Sequence, residues 1–184
     1  HRVLGAHMSG TTVMRFQLSL SDVERELFTE IDLRIARHPS ETGEYLVTRV
    51  LAAALLWQEG LTFASAGISD KERPALYVED GSRVLLWIEI GAPGADRVEK
   101  AGKKGQRVVL VTTDVPRNVK TVEKAGAHVE IIGLPRAQVE RLADGLDARQ
   151  VKWQLTVSGG TLFVSDERGL SEELVIERVV VGGD

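Results

Sequence analysis

The residue with the greatest chemical potential in this chain is a carboxylate in an apolar run: Glu89, within Val84-Leu85-Leu86-Trp87-Ile88-Glu89-Ile90-Gly91. Both alternating faces of the run are apolar, the pattern of a strand covered on both sides in the middle of a sheet. Alternation sets Glu89 on the face of Leu85 and Trp87. An ionised carboxylate taken out of water there costs on the order of several kcal/mol unless a cation or hydrogen-bond donors meet it. Glu89 therefore has a partner or a raised pKa. One reading is a structural ion pair with an arginine or lysine from a covering helix; the other is a metal-ligating or acid/base carboxylate at the C-terminal end of a central strand. The one basic cluster follows directly, Arg97-Val-Glu-Lys100-Ala-Gly-Lys103-Lys104-Gly-Gln-Arg107. Helical spacing puts Arg97, Lys100 and Lys104 on one face, which suits a phosphate or simply water.

Composition narrows the chemistry. The chain has 184 residues with 43% hydrophobic content, enough for one full core. A single domain over 8–184 is expected, with His1-Arg2-Val3-Leu4-Gly5-Ala6-His7 read as the remnant of an expression tag. There is no cysteine, which excludes disulfides, thiolate zinc sites and cysteine nucleophiles. Setting aside His1 and His7 leaves His38 and His128, so a metal would be held by carboxylates, and magnesium or manganese is favoured. A net charge of −4 argues against indiscriminate binding of nucleic acid by the surface as a whole. No apolar run reaches about 18 residues and no basic leader precedes an apolar segment, so a soluble, cytoplasmic protein without a membrane partner is expected. Neither Gly-x-Gly-x-x-Gly nor a phosphate-loop pattern occurs, and no serine lies in a Gly-x-Ser-x-Gly turn.

The elements that must position Glu89 follow from periodicity. Alternation predicts a long antiparallel hairpin, 13–20 with 27–35, turning near Ser21-Asp22. Pro39-Ser40-Glu41-Thr42 starts the main core helix, capped by Ser40 or Thr42 and ending near Gly60. A second hairpin, 74–79 with 83–91, turns at Asp80-Gly81. Pro93 opens a helix to about Lys104, 107–112 is a buried strand, and 116–126 is a helix closed by Gly126. A strand at 129–132 and a helix at 135–144 continue the alternation, and 151–157, 161–165 and 173–181 read as closing antiparallel strands. The order points to an α/β (α+β) architecture, a mixed sheet with helices on both faces. Trp57 and Trp87 are expected in the core and His38 in a loop with its imidazole satisfied.

Three segments resemble the YaeQ family: Ala36-Arg37-His38-Pro39-Ser40-Glu41-Thr42, Leu86-Trp87-Ile88-Glu89-Ile90-Gly91-Ala92-Pro93, and Arg97-Val98-Glu99-Lys100-Ala101. With the N-terminal hairpin and the spacing between motifs, the resemblance covers most of 13–165. It implies a compact variant of the PD-(D/E)xK nuclease-like fold, a restriction-endonuclease-like core behind an N-terminal β-hairpin. In that superfamily a proline-aspartate on one strand and a glutamate-x-lysine on the next hold magnesium against a phosphodiester. By this resemblance Glu89 is the motif glutamate and Glu41, placed in the first turn of the core helix, is the acid added by that helix. An acid there also serves the helix dipole without any further role. The lysine position is Gly91, so Lys100 is the candidate for a migrated lysine. Val98, Ala101 and Gly102 mark the buried stripe of that helix, so Lys100 points nearly away from it and Arg97 leans inward more readily. The aspartate position is Ala75.

Hairpin register decides what replaces that aspartate. A two-residue loop at Asp80-Gly81 pairs Val78 with Arg83 and places Glu72 opposite Glu89, giving Glu41, Glu89 and Glu72 as metal ligands. A three-residue loop pairs Glu79 with Arg83 and sets Ala75 beside Trp87, diagonal to Glu89; the resemblance favours this register. Two functions follow. One is a catalytically degenerate binding module, because Ala75 stands for the motif aspartate, with Glu89 held by Arg97, Arg49 or another cation. The other is a magnesium-dependent phosphodiesterase or nuclease using Glu41 and Glu89 for the metal, Glu89 and Lys100 in catalysis, and Arg97, Lys100 and Lys104 for phosphate, with a nucleic acid or other phosphate ligand as partner.

Overall fold

The first two strands pair along their whole length, β1 (Thr12–Asp22) antiparallel to β2 (Leu27–Arg37), so that Leu18 meets Ile31 and Phe16 meets Leu33 on the inner face. The computed structural model describes residues 12–64, 73–146 and 149–183. Strands β8 (Gln150–Ser158), β9 (Thr161–Ser165) and β10 (Ser171–Val175) complete a five-stranded sheet in the order β10-β9-β8-β1-β2, with β8 parallel to β1. Its strands alternate buried and exposed residues, so one face meets the core and the other meets solvent.

A second, six-stranded sheet runs β11-β7-β6-β5-β4-β3, from β3 (Thr62–Phe63), β4 (Leu76–Asp80), β5 (Arg83–Ile90), β6 (Gly105–Thr112), β7 (Val129–Gly133) and β11 (Glu177–Val181). Strands β5, β6 and β7 are parallel and continuously buried toward their C-terminal ends, while β3, β4 and β11 run antiparallel to their neighbours. Helix α1 (Gly43–Leu55) lies between the two sheets, and every residue from Leu46 to Leu55 is buried. Its small residues Ala52, Ala53 and Ala54 permit contact all round, and α4 (Arg136–Asp144) packs beside it. On the other face of the six-stranded sheet, α2 (Ala95–Lys104) and α3 (Val115–Ala125) cover a second core of Trp87, Val98, Ala101, Leu110, Val122 and Ile131. No helix among the described residues is long and apolar enough to cross a membrane.

The fold is thus an α/β arrangement of two mixed sheets and four described helices rather than one mixed sheet. Helices do cover both faces of the sheet that carries Glu89. The expected closing strand 173–181 divides at Ile176, its halves joining different sheets. The inward positions shift from Leu174 and Ile176 to Val179 and Val181, a slip of one residue at Glu177-Arg178 that accompanies the change of sheet. Helix α1 begins later than expected: Thr42 is the N-cap, its side chain accepting from the Tyr45 amide at 3.0 Å. Ser40, the other capping candidate, instead shares a 2.7 Å hydrogen bond with His38 Nδ1. Glu41 consequently precedes the helix and does not occupy its first turn. The imidazole of His38 is exposed and satisfied in a loop, as expected.

The β4–β5 hairpin follows neither expected register. Asp80 pairs with Arg83 across a Gly81-Ser82 turn, in which Gly81 takes a left-handed φ of 63°. A bulge then leaves Leu85 as the extra residue between Glu79↔Val84 and Val78↔Leu86. The turn shift and the bulge add together. Leu76 faces Ile88, and one further step brings Ala75 level with Glu89. Glu72 lies outside the described residues.

Candidate functional site

The Glu89 carboxylate is 5% exposed and fully engaged by two neighbours. Trp87, two residues earlier on the same face, donates its indole N–H to Oε2 at 2.8 Å. Arg97 reaches up from the first turns of α2 and places Nε 2.9 Å from Oε1 and 2.8 Å from Oε2. One Arg97 terminal nitrogen also donates to the Arg73 carbonyl at 2.7 Å, tying α2 to the segment before β4. Burial pushes the Glu89 carboxyl above its ordinary value, while the Arg97 guanidinium and the Trp87 N–H pull it part of the way back.

Glu41 has its own cation. It is 4% exposed, and Arg49, 2% exposed on α1, lies with Nη2 3.0 Å from each of its oxygens. The guanidinium carbon also sits 5.6 Å from the centre of the Phe63 ring. Hydrogen-bond geometry is met at Oε1 alone, leaving Glu41 Oε2 and Arg49 Nε buried without a hydrogen bond. Burial raises this carboxyl as well, opposed first by Arg49. On α1, burial together with the nearby Glu89 and Glu41 charges takes the Tyr45 phenol up to about 12 against the pull of Arg49 and Arg97.

Around Glu89 the surface forms a recess of about 230 Å³ lined by Tyr45, Ala75, Glu89, Ala92, Pro93 and Arg97. Its floor is the end of β5, where Gly91 adopts φ +87° and the Tyr45 ring would lie 3.7 Å from any Cβ. A side chain at 91 would be strained in this backbone conformation. Asn118, fully buried on α3, holds this end of the sheet: its Nδ2 lies 3.0 Å from the Gly91 carbonyl and 2.9 Å from Thr112 Oγ1.

The candidate residues have different partners. Glu89 and Arg97 meet; Glu41 sits with Arg49; Lys100 is half-buried on α2, and Lys104 is exposed at its end. Glu44, a further acid of α1, faces Arg136 and Thr113. Trp87 is buried as expected, whereas Trp57 is only partly covered. Magnesium needs several hard oxygen ligands free of competing cations. Glu89 and Glu41 each carry a guanidinium, Ala75 supplies no oxygen, and among the described residues no three His, Asp or Glu side chains gather as a ligand set. These residues do not fit that ion. What the arrangement offers is a buried ion pair with an indole clamp beside a small open recess.

Tyr45, Arg73 and Asn118 were not singled out from sequence. The four-residue spacing of Tyr45 and Arg49 on the core helix was a usable signal for the first, since it sets both on one helical stripe. Arg73 and Asn118 act through contacts that cross 24 and 27 residues, and no local pattern encodes them.

With the geometry in place, comparison with known proteins is direct. The family model described as YaeQ protein matches residues 8–174. The Escherichia coli (strain K12) protein described as "Uncharacterized protein YaeQ" is 30% identical over 166 residues, covering 85% of this chain and 90% of its own length. The crystal structure of YaeQ protein from Pseudomonas syringae superposes with a TM-score of 0.83 at 34% identity, covering 92% of this chain and 96% of that one. The YaeQ protein from Xanthomonas axonopodis pv. citri gives 0.81 at 27% identity, covering 91% and 97%.

Proposed function

The chain belongs to the YaeQ family, and from that premise we propose that it is a non-catalytic binding module on a nuclease-like fold. Support for the fold reading comes from element order: α1, then antiparallel β3, β4 and β5, then α2 and the parallel strand β6. The observation that carries the functional reading is the Arg97 guanidinium lying on both oxygens of Glu89, with Ala75 level with it in the neighbouring strand. A carboxylate already neutralised by a guanidinium is a poorer metal ligand, and Ala75 beside it offers no second side-chain oxygen. In this reading Glu89 orients Arg97, and Arg97 with the Gly91-to-Gly94 turn presents a small polar recess to an anionic ligand.

Calorimetry with Mn²⁺ on the purified protein tests this. Wild type and Glu89→Gln are expected to give the same baseline heats, and neither should cleave a supercoiled plasmid or a short oligonucleotide with Mg²⁺ or Mn²⁺ present. A saturable heat in wild type that disappears in Glu89→Gln, together with metal-dependent cleavage, would restore the phosphodiesterase with Glu41 and Glu89 as ligands.

A further inference from the structure

Beyond the Glu89 recess, on the same side of the sheet as α2, lies a larger cleft of about 580 Å³. Its walls come from four places in the chain. Arg73 and Pro74 precede β4, Tyr77 and Glu79 lie on β4, Arg83, Val84 and Trp87 lie on β5 beside Ser82 of the turn, and Lys104 and Gln106 come from the α2–β6 junction. The bulge at Leu85 shapes it by twisting the outer half of the hairpin relative to the inner half.

The charge is distinctive. Arg73, Arg83 and Lys104 face one carboxylate, Glu79, in a chain whose net charge is −4. Arg73 pairs with Glu79 at 2.9 Å and Arg83 with Asp80 at 3.3 Å. Both pairs are exposed, and exposed pairs are weak, so a phosphate can compete for their donors. Between the cations runs an apolar wall of Pro74, Tyr77, Val84 and Trp87, with the Arg73 guanidinium carbon 5.1 Å from the centre of the Tyr77 ring. Gln106 and Ser82 add amide and hydroxyl groups at the rim. Three cations, an apolar wall and a few polar groups in a volume within the roughly 300–1,000 Å³ of small-molecule sites suit a ligand with a phosphate and a ring.

We propose that this cleft binds a small phosphorylated ligand of the nucleotide chemical class, its phosphate held by Arg73, Arg83 and Lys104 and its ring lying along Tyr77 and Val84. The inference deepens the binding-module reading and rests on it only for the ligand leaving unchanged. The acidic chain and the bounded cleft favour a mononucleotide over a long polyanion. The cleft adjoins the Glu89 site through Arg73, whose carbonyl accepts from Arg97.

The experiment is a titration of the full chain with AMP, ADP, adenosine, inorganic phosphate and a short single-stranded oligonucleotide, followed by calorimetry and by tryptophan emission, since Trp87 lines the cleft. AMP or ADP should bind at least about tenfold more tightly than adenosine or phosphate alone, and binding should weaken with added salt. Arg83→Glu and Lys104→Glu should each lose about tenfold or more of that affinity, whereas Lys120→Glu, exposed on α3 away from the cleft, should not. Arg83 is 62% exposed, so its variant should melt with wild type and a lost signal cannot be ascribed to unfolding. Absence of nucleotide binding at millimolar concentration, affinity indifferent to Arg83→Glu and Lys104→Glu, or an oligonucleotide bound more tightly than its mononucleotide would each overturn the proposal. Metal-dependent breakdown of a bound nucleotide would instead overturn the non-catalytic reading and leave this cleft standing.

Discussion

Substituting Arg97 by methionine should expose how Glu89 is held. The change keeps an apolar stem against α2 but removes the guanidinium from a carboxylate that is 5% exposed. Removing one partner of a buried pair costs about 3–5 kcal/mol because it strands the other charge. The Arg97 side chain is 27% exposed, so water can reach part of the vacated space, and about 2–3 kcal/mol is the expected loss. For a chain of this size that corresponds to a melting temperature lower by roughly 4–12 °C. The loss should depend on pH with a definite sign. Burial raises the folded-state pKa of Glu89, and Arg97 is the chief opposing influence, so Arg97→Met raises it further. A carboxyl whose folded value is raised binds its proton more tightly when folded. Its contribution to stability is therefore full below the ordinary value of 4.5 and is lost as pH rises through the raised value. Urea denaturation at neutral pH and again around pH 5 should show the Arg97→Met deficit shrinking at the lower pH, where Glu89 is increasingly neutral. The double variant with Glu89→Gln should recover about 1 kcal/mol or more relative to the sum of the singles. Additive losses, or a deficit that does not change with pH, would refute the account of a coupled buried pair.

Other expected outcomes test the surroundings. The Tyr45 phenol is pushed up to about 12, so the phenolate absorbance present in wild type and missing in Tyr45→Phe should develop only near that pH; its appearance close to pH 10, the ordinary phenol value, would contradict the buried placement. Gly105→Ala would put a Cβ 2.8 Å from Trp87 Cβ and 3.2 Å from the Ala101 carbonyl. Crowding should cost about 1–3 kcal/mol and alter the near-ultraviolet circular dichroism of Trp87, outweighing the roughly 0.4–1 kcal/mol that a glycine-to-alanine change contributes through the unfolded chain. A more stable Gly105→Ala protein would mean that α2 and β6 do not approach Trp87 this closely.

Sequence alone located most of the elements, though not the short β3 or the division at Ile176, and it marked Glu89 as a buried acid in need of a partner. Period-two alternation located the first hairpin, and capping and glycine signals placed α2, α3 and α4 nearly to the residue, because these signals arise between neighbours in the chain. The apolar run around Glu89 was itself evidence that the acid needed a partner, and helical spacing singled out Arg97 as the cation turned inward. Tertiary structure decided the remainder. Two sheets form where one was expected because the inner faces of β1 and β8 can be buried on α1 from the side opposite β5 and β6, and alternation does not record which sheet a strand joins. Ala75 reaches the level of Glu89 only through the summed effect of a turn and a bulge; each moves the register by one residue, and neither leaves a mark in composition. The pairing of Glu41 with Arg49 and of Glu89 with Arg97 is likewise a three-dimensional fact. Four charges of two signs admit more than one pairing on paper, and burial selects the pairing that leaves each acid beside its own guanidinium.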